Sequence, residues 1–391
     1  IISSVNNNAL LNGNYVFVFS GFNSSGPVVL GGTLLANGTG IFFGSEDSNN
    51  NNPKDSTQNN GPGPVQNTTV VGSYSLGSDG RGSFTLSSAS IVSTYQFTLD
   101  GNGNAQFIEA DNTGTHGTGI LRKQTVSNFT SQSFGGNYAF ELAGTSSSGK
   151  RDTLAGVFQA DGISLFKNGN VDTNFAGTLG TNLNGVTGTF LLAQNGRGAA
   201  TLVLPVPATL NFVFYMVTPS DVLFLGMDPI SQTNPMTIGE ALLQTQPSFD
   251  KASLNGSIIA TATGLDASGN ATVLAGLLNA DGNTGINSIV DANDGGTINS
   301  NASASGSYSV ASNGRATISG LGNQLAVFYL ISPNQAFVIG QDSAASSGIV
   351  EPQVGAPFSA SSFTSYFTFG PPSAGSPGAS DKTSNDFVGS I

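Results

Sequence analysis

The chain repeats itself. Leu11-Asn12-Gly13-Asn14-Tyr15-Val16-Phe17 opens one unit, Phe134-Gly135-Gly136-Asn137-Tyr138-Ala139-Phe140 a second and Leu254-Asn255-Gly256-Ser257-Ile258 a third. Gly136 follows Gly13 by 123 residues, and Gly256 follows Gly136 by 120. Later landmarks keep one order: Asn37-Gly38, Asp161-Gly162 and Asp281-Gly282, then Asp47-Ser48-Asn49, Asp172-Thr173-Asn174 and Asp291-Ala292-Asn293. A Gly-Arg turn comes next, as Asp79-Gly80-Arg81, Asn195-Gly196-Arg197 and Asn313-Gly314-Arg315. Val213-Phe214-Tyr215 and Val327-Phe328-Tyr329 are shared by the second and third units. Four landmarks in register restrict the 391 residues to tandem copies of one fold.

The turns say which fold class. Asn-Gly and Asp-Gly supply positive φ at both centres of a type I′ turn, whose twist matches antiparallel strands. Between them lie short runs rich in Val, Phe, Tyr, Thr and Ile. Tyr15, Phe17 and Phe19 fall on one face of such a run, with Val16 and Val18 on the other. Helical spacing with caps is not sustained anywhere. Each unit reads as about eight strands joined by hairpins, a meander that hides its edges by closing into a barrel or folding into a sandwich. The expectation is an all-β chain: unit one over 1–125, unit two over 126–246 and unit three over 247–355. The polar stretch Asn49–Gln66 reads as a surface loop, and Leu210–Met227 as two strands about the turn Thr218-Pro219-Ser220-Asp221.

Residues 356–391 begin like a unit, with Phe363, Tyr366, Phe367 and Phe369, and then run into Pro371-Pro372 and a Gly/Ser-rich tail. A strand without partners needs an acceptor. It packs on unit three, inserts into a neighbouring molecule, or is a piece of a longer array. Phe363, Tyr366, Phe367 and Phe369 are therefore candidate donor-strand residues, with Ile1, Ile2 and Val5 as the alternative donor at the other end.

The order Leu-x-Gly-x-Tyr-x-Phe, Ala-Asp-Gly, Asp-x-Asn and Asn-Gly-Arg-Gly resembles a family of secreted tandem β-repeat proteins abundant in acidobacteria. The resemblance covers nearly the whole chain, departing at Ile258 and Ala316. It implies export and tandem architecture, and no activity.

Composition narrows function. Eleven Lys and Arg against 23 Asp and Glu give a net charge of −12, which excludes a basic nucleic-acid footprint. No Cys and a single His remove thiol chemistry, and with it the usual zinc and iron–sulfur sites. Charged residues are only 9%, so Asn, Ser, Thr and Gly coat the surface, as suits an exported bacterial protein. No segment reads as membrane-spanning. The opening Ile1-Ile2 without Met is accounted for by a leader that has been removed or lies outside the sequence.

Few residues carry chemistry. Arg81, Arg197 and Arg315 recur, and the expected role is structural, a guanidinium tying a turn to a nearby carboxylate or carbonyl. Asp47, Asp172 and Asp291 with their Asn partners offer too few oxygens for Ca²⁺ and suit turn capping better; Asp100-Gly101-Asn102-Gly103-Asn104 reads as a hairpin tip. His116 reads as an exposed loop residue. Glu46/Asp47 and Glu109/Asp111 are the only carboxylate pairs worth weighing for glycosidase chemistry, and units two and three lack the glutamates. Without Trp, the 26 Phe are core residues rather than a sugar platform. The expectation is an extracellular structural protein, not an enzyme and with no cofactor or metal: a subunit of a cell-surface filament built from copies of itself, with strand exchange as one route of assembly. The alternative is a surface adhesin or carbohydrate-binding protein whose partners are surface glycans.

Overall fold

The computed structural model describes residues 7–50, 63–88, 91–205, 208–231, 234–266, 268–362, 368–369 and 389–390. Each of the three units closes into an eight-stranded antiparallel barrel in simple up-and-down order. The first comprises β1 (Asn12–Asn23), β2 (Gly26–Asn37), β3 (Ile41–Asn50), β4 (Gly63–Leu76), β5 (Arg81–Ser88), β6 (Ile91–Leu99), β7 (Ala105–Glu109) and β8 (His116–Lys123). The second comprises β9 (Gly135–Thr145), β10 (Arg151–Asp161), β11 (Leu165–Phe175), β12 (Thr178–Leu192), β13 (Arg197–Leu204), β14 (Ala208–Thr218), β15 (Asp221–Gly226) and β16 (Met236–Leu243). The third comprises β17 (Asn255–Leu265), β18 (Ala271–Asp281), β19 (Gly285–Asp294), β20 (Thr297–Val310), β21 (Arg315–Ser319), β22 (Val327–Ser332), β23 (Gln335–Ile339) and β24 (Ser347–Pro352). A two-residue ladder, β25 (Thr368–Phe369) with β26 (Gly389–Ser390), follows them in sequence, with β26 in contact with β6 of the first barrel.

Alternation along the strands fills each interior. Tyr15, Phe17 and Phe19 point inward and pack with Phe42, Tyr74, Phe84, Tyr95, Phe97 and Phe107. Neighbouring rings among them sit 4.6 to 6.2 Å apart. Phe17 gains its space because Gly32 faces it on β2; a Cβ on Gly32 would lie 2.6 Å from the ring. Phe140 and Gly156 repeat this pairing in the second barrel. The third barrel substitutes Ala260 opposite Gly276 and packs smaller side chains.

The linkers double as end plugs. Each holds a one-turn 3-10 segment, Ser131–Ser133 or Lys251–Ser253, whose capping box is closed by Thr130 or Asp250. The preceding Phe129 or Phe249 is buried in the barrel that comes next.

Several expectations meet the structure directly. Leu210–Met227 holds β14 and β15 around the turn at 219–220. Asp100 Oδ1 accepts the Asn102 and Asn104 amides at 2.8 Å, closing a hairpin tip. The stretch Asn49–Gln66 is in part strand: Asn49 pairs with Pro64 and Asn50 with Gly63, while 51–62 lie outside the described residues. His116 is a correction. It begins β8 rather than a loop, half-buried, with its ring 6.3 Å from Phe22.

Candidate functional site at the barrel junctions

The outward faces of the strands explain why Val16 and Val18 are as buried as the rings between them. They pack with Val29 and Ile120 against Val213, Tyr215, Leu223, Leu225 and Ile238 of the second barrel. At the next junction Ala139, Ala155 and Val157 meet Val327, Tyr329, Ile331, Phe337 and Ile339. The β1–β2 face of the first barrel is thus covered by the β14–β15 face of the second, and the β9–β10 face of the second by the β22–β23 face of the third.

Within each apolar contact sits one polar device. Asp47 lies on β3 opposite Gly31, and Asp172 on β11 opposite Ala155, both facing outward and essentially fully buried. The next barrel's Gly-Arg turn reaches them. Arg197 Nε donates to Asp47 Oδ2 at 2.8 Å and its Nη2 to Oδ1 at 2.6 Å. Arg315 grips Asp172 the same way, at 2.6 and 2.8 Å. This is the bidentate fork–carboxylate geometry, the strongest form of the pair. Tyr215 stands directly opposite Arg197 across the β13–β14 ladder, and its hydroxyl donates to Asp47; Tyr329, opposite Arg315, does so to Asp172. Burial pushes both phenols well above their ordinary value, and the adjacent carboxylate adds to it, so each stays a donor. Asp47 holds the Arg197 guanidinium above its usual value.

The aspartates are set before the neighbour arrives. Asp47 Oδ1 accepts the Asn67 amide at 2.8 Å, and Asp172 Oδ1 the Asn182 amide at 3.0 Å. Asn67 and Asn182 sit at φ 56° and 51°, at irregularities in the β3–β4 and β11–β12 ladders. Two residues along, Asn49 Nδ2 donates to the Gly226 and Asp228 carbonyls, and Asn174 Nδ2 to those of Gly340 and Asp342. Asp-x-Asn is therefore a two-point grip carried on a strand, where sequence reasoning expected turn capping.

The linker supplies the third point. Gln124 Nε2 donates to the Asn195 and Met216 carbonyls, and Gln244 Nε2 to those of Asn313 and Leu330. Gly196 and Gly314 have φ of 86° and 92°, and a Cβ there would come within 2.7 and 2.8 Å of the Gln amide. Each junction also has an arginine contact of its own. Arg122 on β8 meets Asp221 at 2.8 Å and the buried Glu240 at 2.7 Å, whereas Arg151 on β10 donates to Ser347 Oγ at 2.9 Å.

Arg81 behaves differently. It bonds Asp79 in its own turn at 2.9 Å with both side chains exposed, and Thr98 occupies the place across from it that Tyr215 and Tyr329 hold. The expectation of a structural arginine beside a hairpin describes Arg81; for Arg197 and Arg315 the carboxylate belongs to the preceding barrel.

The other carboxylates worth weighing gather at the first barrel. Glu46 and Glu109 are each pushed up to about 7 by burial, with Asp47 and Asp111 adding repulsion; burial raises the Tyr95 phenol, and Glu109 and Glu46 add to it. Among the described residues no three His, Cys, Asp or Glu side chains gather as a metal site. Among the described residues no helix is long and apolar enough to cross a membrane. A cavity of 330 Å³ opens at the second junction, lined by Asn137, Gln159, Asn168, Gln244, Ser248 and Asn313 among others. Of the donor-strand candidates, Ile1, Ile2, Val5, Phe363, Tyr366 and Phe367 lie outside the described residues, and Phe369 pairs through its backbone with Gly389. Every barrel closes with eight strands of its own, so none has a gap for a donated strand. No known protein family and no curated protein matches the chain.

Proposed function

We propose that the chain is an extracellular structural protein, a stiff strut of barrels that serves as a subunit of a cell-surface filament formed with copies of itself. One observation carries this reading: both junctions are closed by the same buried Asp–Arg–Tyr grip, so neighbouring barrels hold one fixed relation. Independent domains on flexible tethers need no such device. The low-charge, Asn- and Ser-rich surface and the resemblance to secreted repeat proteins favour the outside of a bacterial cell. With Thr98 in the tyrosine's place, the first barrel is a poor match for another copy's acceptor. Copies would then meet through surfaces other than this grip.

Electron microscopy of material taken from the producing cells tests the reading. Filaments labelled along their length by an antibody to the chain are expected. Label confined to dispersed single particles would overturn it. A second reading, a glycan-binding surface protein, is favoured by the amide-rich cavity at the second junction. Saturable binding of the monomer to a glycan array, abolished by Asn168→Ala, would select it.

A further inference from the structure

The third barrel carries the acceptor half of the grip with no arginine or tyrosine from the described residues in it. Asp291 lies on β19 opposite Ala275, the register of Asp172 opposite Ala155. Its Oδ1 already accepts the Asn301 amide at 2.9 Å, and Asn301 has φ 54°, as at the two filled sites. Asn293 Oδ1 accepts the Gly296 amide, as Asn174 Oδ1 accepts that of Gly177. Yet Asp291 and Asn293 are exposed.

The apolar face beside them is bare as well. Ile259 is 46% exposed where Ala139 is 0%, and Leu277 is 36% exposed where Val157 is 4%. The linker is laid down in the same way. Gln353 donates its backbone amide to Ser257 O, as Gln244 does to Asn137 O, and the Ser359 backbone amide donates to Ser362 Oγ at the 3-10 turn Ala360–Ser362, as Thr130 does to Ser133 Oγ and Asp250 to Ser253 Oγ. Phe358, however, is 53% exposed, where Phe129 and Phe249 are plugs in the next barrel along.

The β25–β26 ladder beyond that linker has the register of a barrel's first hairpin. Phe369 pairs with Gly389, as Phe17 does with Gly32 and Phe140 with Gly156. Counted along the sequence from that pairing, Phe387-Val388-Gly389-Ser390 aligns with Leu154-Ala155-Gly156-Val157.

We propose that the Asp291 face is the docking surface for a fourth barrel of the same kind, the one this hairpin opens. Its Gly-Arg turn and cross-strand tyrosine would close on Asp291, and its turn carbonyls would take Gln353. The chain's own first barrel is a poorer occupant, because Gln96, Thr98 and Gln106 stand at the register positions of Val213, Tyr215 and Leu223. This inference goes beyond the filament reading and does not depend on it.

The chain has no cysteine, so a single Leu277→Cys reports on the face through its rate of reaction with a maleimide. The rate is compared between the 391-residue chain and two extended chains. One continues from Ile391 with a copy of residues 279–352, the other with a copy of 159–243, each completing the hairpin's barrel. Labelling slower by at least about tenfold, the factor that about 1.4 kcal/mol of docking provides, is expected in either extended chain. Asp291→Ala should restore the fast rate. Val157→Cys, already covered, gives the protected reference. Fast labelling of Leu277→Cys in both extended chains would overturn the proposal, as would slow labelling that Asp291→Ala leaves unchanged. Filaments on cells bear on neither result.

Discussion

Arg197 and Asp47 are 150 residues apart in sequence and belong to different barrels, yet they meet through two hydrogen bonds of 2.8 and 2.6 Å. Asp47 is fully buried there, held by that guanidinium, the Tyr215 hydroxyl and the Asn67 amide. Removing one partner of such a pair leaves the other charged and dry, at a typical cost of about 3–5 kcal/mol. Arg197→Ala and Arg315→Ala should each destabilise the chain on that scale in urea titrations. Arg81→Ala, whose pair is exposed, should leave the midpoint where it was.

The tyrosines test the hydroxyl alone. Tyr215→Phe and Tyr329→Phe keep the ring in the apolar face and remove one donor from a buried carboxylate. A loss of about 1–3 kcal/mol is expected for each. Calorimetry should also show the barrels on either side of the altered junction beginning to melt separately, since neighbour coupling in an array is carried by its interfaces. A single unchanged transition would count against the hydroxyl's role.

The turn glycines separate local strain from the junction. Gly80, Gly196 and Gly314 share positive φ, so alanine strains all three, by roughly 1 kcal/mol. Only at Gly196 and Gly314 does the new Cβ also press on a linker glutamine. Losing those two amide hydrogen bonds adds about 1–3 kcal/mol. Gly196→Ala and Gly314→Ala should therefore lower stability more than Gly80→Ala in the same denaturant series; equal losses would mean that the glutamines are incidental.

Stability should depend on pH in an unusual direction. Glu46, Glu109 and Asp152 are pushed up to about 7, chiefly by burial. Between their ordinary values near 4 and about 7, the folded chain keeps protons that the unfolded chain has released. Stability contributed by these groups is full below that window and falls as pH rises through it. Asp161 and Asp281 are held below the usual range by backbone amide hydrogen bonds, and Asp266 by the Asn270 side chain and then by backbone amides; these work the other way at lower pH. The melting temperature should peak at roughly pH 4–5 and decline toward pH 8. Glu46→Gln should flatten the decline. A melting temperature that rises from pH 5 to 7.5 would contradict this.

Strand number, hairpin positions and the interior rings were legible because turn chemistry and two-residue alternation are local signals. Closure into a barrel rather than a sandwich was not, since both satisfy the same alternation and differ only in whether β1 meets β8. The junction was half legible. Arg197, Arg315 and the Asp-x-Asn pairs recur in the sequence, and a structural role for the arginines was readable from a guanidinium's five donors beside a hairpin. That each arginine belongs to the aspartate of the preceding unit was not, because the pairing spans 143 to 150 residues and no local rule links them. One signal was available: Tyr215 and Tyr329 accompany the two gripping arginines, and the first unit, which has no preceding neighbour among the three, lacks the tyrosine. The outward Val16 and Val18 gave a second hint, a buried-type face with no interior left to fill.

The central claim is that the barrels form one rigid array held by the two aspartates, and solution scattering tests it most directly. The chain should fit a single shape, with a maximum dimension that does not change with temperature below melting. Asp47→Ala combined with Asp172→Ala should leave each barrel folded by circular dichroism and spread the scattering over many shapes. Identical scattering from the two proteins, with both folded, would contradict the account.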